Sequence, residues 1–169
     1  TDKKLSSAND LLPILEKCAQ AGQKDLVIIA EEVEGEALSL LILNKLKGVF
    51  NSLVLKAPSF GDRRKEIMED ITILTGATLV SADKGMKIEE VGLEVLGSAG
   101  KVIATKDGTT IIKGSGSDKA VKERIALIDA LAEHANSDYE RGEFEKRAAA
   151  LSGKVAVIKV GGATETEIE

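Results

Sequence analysis

The chain has 169 residues, a formal net charge of -5, 43% hydrophobic residues and 30% charged residues, which is typical of a globular protein with one domain, or one domain and a fragment. It contains three Phe, one Tyr and no Trp, so its core must be aliphatic, and base stacking, the usual route to single-stranded nucleic acid, is largely excluded. The negative charge without a long basic run also argues against nucleic acid, and no apolar run approaches the roughly 18 residues of a membrane span.

The cysteine content indicates the redox compartment of the protein, and the two chain ends indicate whether the sequence is part of a longer one. Cys18 is the only cysteine, which excludes an internal disulfide and favours a reducing compartment. No signal peptide precedes Thr1, and the sequence starts without Met and stops at Glu169 in mid-pattern. We therefore expect a piece excised from a longer protein.

The first half of the chain alternates between helix and strand patterns. The predicted elements are a helix capped by Ser6 or Ser7 with Asp10 and ending at Gly22, a strand over 25–30, a helix over 31–48, a strand over 50–56, a helix capped by Asp62 and ending at Gly76, and a short strand over 78–80.

The second half begins with an irregular, charged segment over 83–92 and continues with a hairpin pattern. Its predicted elements are hairpin strands over 102–105 and 109–112 around Lys106-Asp107-Gly108, helices over 118–135 and 138–151, the second capped by Ser137, and a strand over 154–160. The alternation of strands and helices predicts an α/β fold in one compact domain.

The helix predicted over 31–48 is apolar around its whole circumference. At about 100° per residue, one half of the helical wheel carries Ala37, Leu38, Leu41, Ile42 and Leu46, and the other half carries Leu40 and Leu43. The helix before it has two adjacent apolar stripes: Leu11, Ile14 and Cys18, and Leu12, Leu15 and Ala19. Such helices either lie buried on every side or keep one side for a partner, and periodicity leaves both possibilities open.

No combination of residues predicts an active site. His134, the only histidine, has no second His nearby, and Cys18 lies on an apolar stripe without a His base, so we expect structural roles for both. The acids of 31–36 lack the spacing of a calcium loop and suit a helix N-terminus. The basic cluster over 61–65 is expected to form salt bridges with acids elsewhere.

The strand over 154–160 runs into Gly161-Gly162, a pattern with which some phosphate-binding enzymes begin. Only seven residues follow, so the helix that would bind the anion is not visible in the sequence. The pattern is therefore weak support for a phosphate site.

Three long stretches of the sequence resemble one known family. The stretches EEVEGEALSLLILNKLKG, LKAPSFGDRRKEIMEDITILTG and SDYERGEFEKRAAALSGKVAVIKVGGATETE resemble the group I chaperonins, the 60 kDa heat-shock family. The likeness covers essentially the whole chain. It implies an apical-domain-like α/β fold, with layered β-sheets flanked by helices, of the swivelling β/β/α type. Residues 1–153 would form the apical domain without its N-terminal segment, and residues 154–169 would begin the returning intermediate domain.

The resemblance also implies a binding site on two apical helices, which in this family bind non-native polypeptides and the mobile loop of the 10 kDa co-chaperonin. The matching positions are Leu12, Leu15, Leu38, Ile42 and Leu43, with Asn44 at the edge. Leu11, Ile14, Ala37 and Leu41 would then face inward. Gly153 matches the hinge, where the family usually has paired glycines and this chain has Gly153-Lys154, and Glu165 matches a residue that contacts the neighbouring subunit.

The family works as an ATP-driven double ring of subunits, but its nucleotide and magnesium site and its catalytic aspartate would lie outside this chain. We therefore expect no enzyme activity, cofactor or metal here, and a monomer or weak oligomer in isolation. The bacterial cytoplasm, the mitochondrial matrix and the plastid stroma all fit. Two alternatives stay open: a structural oligomerisation domain, and a phosphate-ligand enzyme that uses the Gly161-Gly162 turn.

Overall fold

The computed structural model describes residues 1–153 and 155–158. Within them the chain has five α-helices and seven strands in three small sheets, so the predicted mixed α/β class is confirmed. The alternation of elements predicted one compact domain, whereas the residues group into two compact units: Thr1–Ala57 with Leu79–Leu96, and Pro58–Thr78 with Gly97 and the residues after it. The predicted boundary between residues 153 and 154 stays a prediction.

The first unit holds two parallel strand pairs and two helices. Its elements are β1 (Lys4–Leu5), α1 (Ala8–Gln20), β2 (Asp25–Ala30), β3 (Glu32–Val33), α2 (Gly35–Leu46), β4 (Asn51–Lys56) and a short 3-10 helix (Leu93–Val95). Strand β2 pairs in parallel with β4 over their whole length, and β1 pairs in parallel with β3. The predicted strand over 25–30 is confirmed residue for residue.

Helix α1 begins where its capping residues predict. The Ser7 hydroxyl accepts a hydrogen bond from the Asn9 N–H, and the Asp10 carboxylate accepts one from the Ser7 N–H at 2.9 Å. This reciprocal capping satisfies donors that a helix start would otherwise leave unpaired. Pro13 is the sixth residue of α1, past the first turn where proline is readily accommodated, so the helix forgoes the backbone hydrogen bond that this position would otherwise donate.

Helix α2 is shorter than predicted because the first acids belong to another element. Glu32 and Val33 form β3 beside β1, and the helix starts only at Gly35, whose φ is +55°. The Glu34 N–H donates to the carbonyl of Leu5 at 2.9 Å, and the Ala37 N–H donates to that of Ser6 at 3.2 Å. Tertiary pairing thus takes precedence over the charge pattern at this boundary.

The second unit combines three helices with an antiparallel sheet. Its elements are α3 (Gly61–Thr75), β5 (Ala99–Thr105), β6 (Gly108–Gly114), α4 (Asp118–Glu133), α5 (Asp138–Ser152) and β7 (Val155–Ile158), with strand order β5-β6-β7. The predicted hairpin and the Ser137 cap of α5 are confirmed. Strand β7 pairs with β6 within the predicted strand over 154–160, and residues 154, 159 and 160 of that prediction lie outside the described residues.

Two predictions around α3 are wrong. Helix α3 starts at Gly61 after Phe60, so Asp62 lies in its first turn and does not cap it. The predicted strand over 78–80 is absent from the described residues: Leu79 and Val80 are buried, but they join no ladder. These residues are apolar because they pack in the interior and not because they pair with another strand. A short apolar run in a sequence does not distinguish the two cases.

A buried ion network joins the three helices of the second unit. Asp70 of α3 accepts hydrogen bonds from Arg124 Nε at 2.8 Å and from Arg147 Nε at 2.6 Å. Glu66, one turn earlier, accepts from the Nη2 atoms of the same two arginines. Because Asp70, Arg124 and Arg147 are all largely buried, each charge depends on the others for compensation.

Among the described residues, none of the helices has both the length and the apolar character that crossing a membrane requires.

We expect Asp70→Ala to lower the free energy of unfolding by about 3–5 kcal/mol, because it removes the buried carboxylate that two largely buried guanidinium groups share and leaves them only the more exposed Glu66. Urea unfolding followed by circular dichroism measures the change. Glu123→Ala is the control: its carboxylate lies 4.0 Å from Lys119 on the exposed face of α4 and should matter by less than about 1 kcal/mol. Equal losses for the two variants would contradict this account of the network.

Candidate functional site

The inward faces of α1 and α2 belong to one hydrophobic core in the first unit. The four residues expected to face inward, Leu11, Ile14, Ala37 and Leu41, are all buried, so that prediction is confirmed. They pack in one cluster with Leu5 of β1, with Ile28 and Ala30 of β2, and with Phe50, which precedes β4. This cluster holds both helices to the unit and determines which of their other side chains face outward.

The prediction that Leu15 lies on the outer surface is wrong. Its side chain is only 3% exposed and packs in the same core as Leu11, Ile14 and Cys18. These four positions follow the spacing i, i+3, i+4, i+7, which is one stripe of a surface helix rather than two. Leu12 lies outside this stripe and is 39% exposed, as predicted.

Helix α2 exposes large aliphatic side chains along its outer side. Leu38, Ile42 and Leu43, all predicted to be available to a partner, are 36%, 50% and 53% exposed. Leu40 is partly buried against the core, so not every apolar residue outside the inward face of the helix is left exposed. Soluble proteins seldom leave several large aliphatic residues together in water, and such clusters commonly mark a binding surface.

Sequence reasoning missed Leu46, which is 79% exposed. The signal was present, since Leu46 lies four residues after Ile42 and eight after Leu38 and therefore continues the same line on the helix. We call the exposed set Leu38, Ile42, Leu43 and Leu46 the α2 strip. Helix α1 packs against α2, so Leu12 lies on the helix next to this strip.

Asn44 is half-buried, and its side chain is already engaged. Its amide Nδ2 donates to the carbonyl of Leu40 at 2.8 Å, one turn back along α2. The Asn44 carbonyl accepts from the N–H groups of Val49 and Phe50, which closes the end of the helix. The residue therefore shapes α2 and leaves its side-chain oxygen and one amide hydrogen for a ligand.

Charges of opposite sign lie at the two ends of α2. At its start, Lys4 forms ion pairs with Glu32 at 3.2 Å and Glu34 at 2.9 Å. The hydrogen bonds to Glu34 and then Glu32 raise the pKa of the Lys4 ammonium group. At the end of the helix Lys45 and Lys47 are exposed, which suits the partial negative charge of a helix C-terminus.

The surroundings of Cys18 and His134 favour structural roles for both residues. Cys18 is buried, and burial raises the pKa of its thiol, which disfavours the reactive thiolate. His134 is exposed at the end of α4, with Nδ1 2.9 Å from the carbonyl of Ala130. In the part of the chain that the structure describes, no three His, Cys, Asp or Glu residues come together in a way that could hold a metal ion.

The basic cluster at the start of α3 is paired within its own unit. Arg63 forms an ion pair with Glu143 of α5, which confirms the expected pairing with a distant acid. Arg63 also donates to the Tyr139 hydroxyl, and this hydrogen bond, together with the charge of Arg63, lowers the pKa of that phenol. Arg64 lies over the ring of Phe60 at 5.6 Å.

Several predicted positions lie at or beyond the edge of the described residues. Glu165, Lys154 and Gly161-Gly162 fall outside them. Gly153 ends α5 with φ of -75°, a right-handed conformation open to any residue, so nothing in its backbone requires glycine. The hinge at Gly153 and the subunit contact at Glu165 stay predictions.

No protein-family model matches the chain.

Leu12 and Leu15 lie on the same helix but differ in burial, so replacing each with alanine should lower the free energy of unfolding by different amounts. We expect Leu15→Ala to lower the free energy of unfolding by about 2–5 kcal/mol because it opens a cavity in the core. Leu12→Ala should cost about 1 kcal/mol or less, since much of its side chain already faces water. Urea unfolding of both variants measures this, and equal costs would contradict the assignment of Leu12 to the surface.

Proposed function

We propose that this chain is a polypeptide-binding module of the group I chaperonin type. It binds non-native polypeptides, and the mobile loop of a 10 kDa co-chaperonin, through Leu12 of α1 and the α2 strip. The observation that carries the proposal is the exposure of Leu38, Ile42, Leu43 and Leu46 on one 12-residue helix. The sequence resemblance supports it independently, because three of these four residues are positions that the family uses for binding.

The physical basis of binding is burial of aliphatic surface. Each side chain of this size that is moved fully out of water contributes roughly 1.5–3 kcal/mol. The residues of the strip are already partly covered, and a bound segment loses conformational freedom, so the net affinity is modest. Modest affinity suits a site that must release its ligand.

Broad specificity follows from the chemistry of the same surface. Leu and Ile impose no hydrogen-bond register on a ligand, and the Asn44 amide group already donates within α2. Segments that differ in sequence but share aliphatic residues can therefore occupy the strip. The mobile loop of the co-chaperonin competes for it when it presents similar side chains.

The wider role belongs to the longer protein of which we propose this chain to be a part. There the chain acts as the apical domain of a ring, with layered sheets flanked by helices. ATP and magnesium bind in another domain, and rotation of the apical domain about a hinge near Gly153 releases the ligand. This chain then has no catalytic residue of its own, and its compartment is the bacterial cytoplasm, the mitochondrial matrix or the plastid stroma.

The decisive variant is Leu38→Ser combined with Ile42→Ser. We expect it to weaken binding of a reduced, carboxymethylated protein, which cannot refold, by at least about tenfold, because two aliphatic contacts are lost. The free energy of unfolding should fall by no more than about 1 kcal/mol, since both side chains are exposed and serine is only a slightly poorer helix former. Fluorescence anisotropy of the labelled ligand measures binding, and urea unfolding measures stability.

Leu127→Ser is the matched control, because Leu127 lies on α4 of the second unit and is 51% exposed, close to the value for Ile42. It should leave binding unchanged. If the double variant unfolds the chain, Leu38 and Ile42 belong to the core and the proposal fails. If Leu127→Ser weakens binding as much, any exposed leucine suffices and the α2 strip is not the site.

A further inference from the structure

The α2 strip ends among lysines that have no partner within the described part of the chain. Lys45 lies in the last turn of α2, and Lys47 caps its end. The backbone of Lys24 lies beside the segment that follows α2, because the Lys24 carbonyl accepts a hydrogen bond from the Asn51 N–H at 2.8 Å. All three side chains are exposed. None of the three ammonium groups forms an ion pair with any of the described residues.

The carbonyl groups at this end of α2 do not need these lysines. The Lys47 N–H donates to the carbonyl of Leu43, and the Gly48 N–H donates to that of Lys45, each at 3.0 Å. The Asn44 carbonyl is paired with two further N–H groups. Because backbone N–H groups already pair with the carbonyls of Leu43, Asn44 and Lys45, these carbonyls do not require the lysine ammonium groups, which are free to meet charges on a ligand.

The start of α2 differs from its end, because charges there form ion pairs within the chain. Glu32 and Glu34 share Lys4, so part of the negative charge there is compensated inside the chain. Leu46, the most exposed residue of the strip, lies between Lys45 and Lys47 in sequence. The least covered aliphatic side chain therefore lies beside uncompensated positive charge.

We propose that the α2 strip prefers aliphatic segments that carry acidic side chains next to the aliphatic run. The aliphatic residues of the segment pack on Ile42 and Leu46, and its carboxylates lie against Lys45 and Lys47. This inference rests on the proposed function and adds a charge preference to it. Complementary charge gives a bound segment a preferred placement, which the aliphatic contacts alone do not provide.

Two peptides test this preference directly. Both carry the same five-residue aliphatic run, followed in one by Glu-Glu and in the other by Gln-Gln. At low ionic strength, we expect the Glu peptide to bind the full chain about three- to tenfold tighter, as two partly exposed ion pairs allow. The ratio should approach one in the Lys45→Gln, Lys47→Gln double variant and should also shrink in high salt. Fluorescence anisotropy of labelled peptides measures all of these affinities.

Lys122→Gln, which removes an exposed lysine from α4 of the other unit, should leave the ratio unchanged. If both peptides bind equally to the unaltered chain, the charge preference is overturned while the aliphatic site stands. A ratio that persists in the double variant also overturns it, because the lysines would not be its source. If neither peptide binds, the proposed function itself fails, and the charge preference with it.

Discussion

The site depends on the small area by which α2 is attached to its unit. Only Ala37 and Leu41 are fully buried, with Leu40 partly buried beside them, and two backbone hydrogen bonds from Glu34 and Ala37 hold the helix start to the segment that leads into α1. A helix with so many aliphatic residues would normally bury more of its surface. Because its contact face is narrow, Leu38, Ile42, Leu43 and Leu46 are left in water, and the binding proposal follows from that exposure.

The distribution of charge around α2 adds to this constraint. Before the helix Lys4 pairs with Glu32 and Glu34, whereas Lys45 and Lys47 at its end lack an ion-pair partner within the described residues. In the proposed function, a ligand meets aliphatic surface along the helix and positive charge at one end. Exposed ion pairs contribute little to stability, so our proposal gives these lysines a role in placing a ligand and not in holding the fold.

A buried ion network holds the three helices of the second unit together. Asp70 and Glu66 of α3 meet Arg124 and Arg147 from α4 and α5, and these acids and arginines are 54 to 81 residues apart in sequence. Periodicity cannot reveal such a network, because it reports which face of a helix is apolar and not which charges meet across helices. The wrong expectations for Asp62 and for 78–80 have the same origin, since both depended on local patterns that tertiary packing overrode.

The sequence by itself determined the mixed α/β class, the helices and their capping by Ser7 and Ser137, the strand over 25–30 and the hairpin, because capping, β-branched runs and turn residues act locally. It also identified the excess of aliphatic residues on α1 and α2. Only the tertiary structure decided that Leu15 is core, that Leu46 is surface, and that Glu32 and Val33 form a strand before α2 begins. Burial depends on which neighbouring elements cover a side chain, and helical periodicity alone does not specify those neighbours.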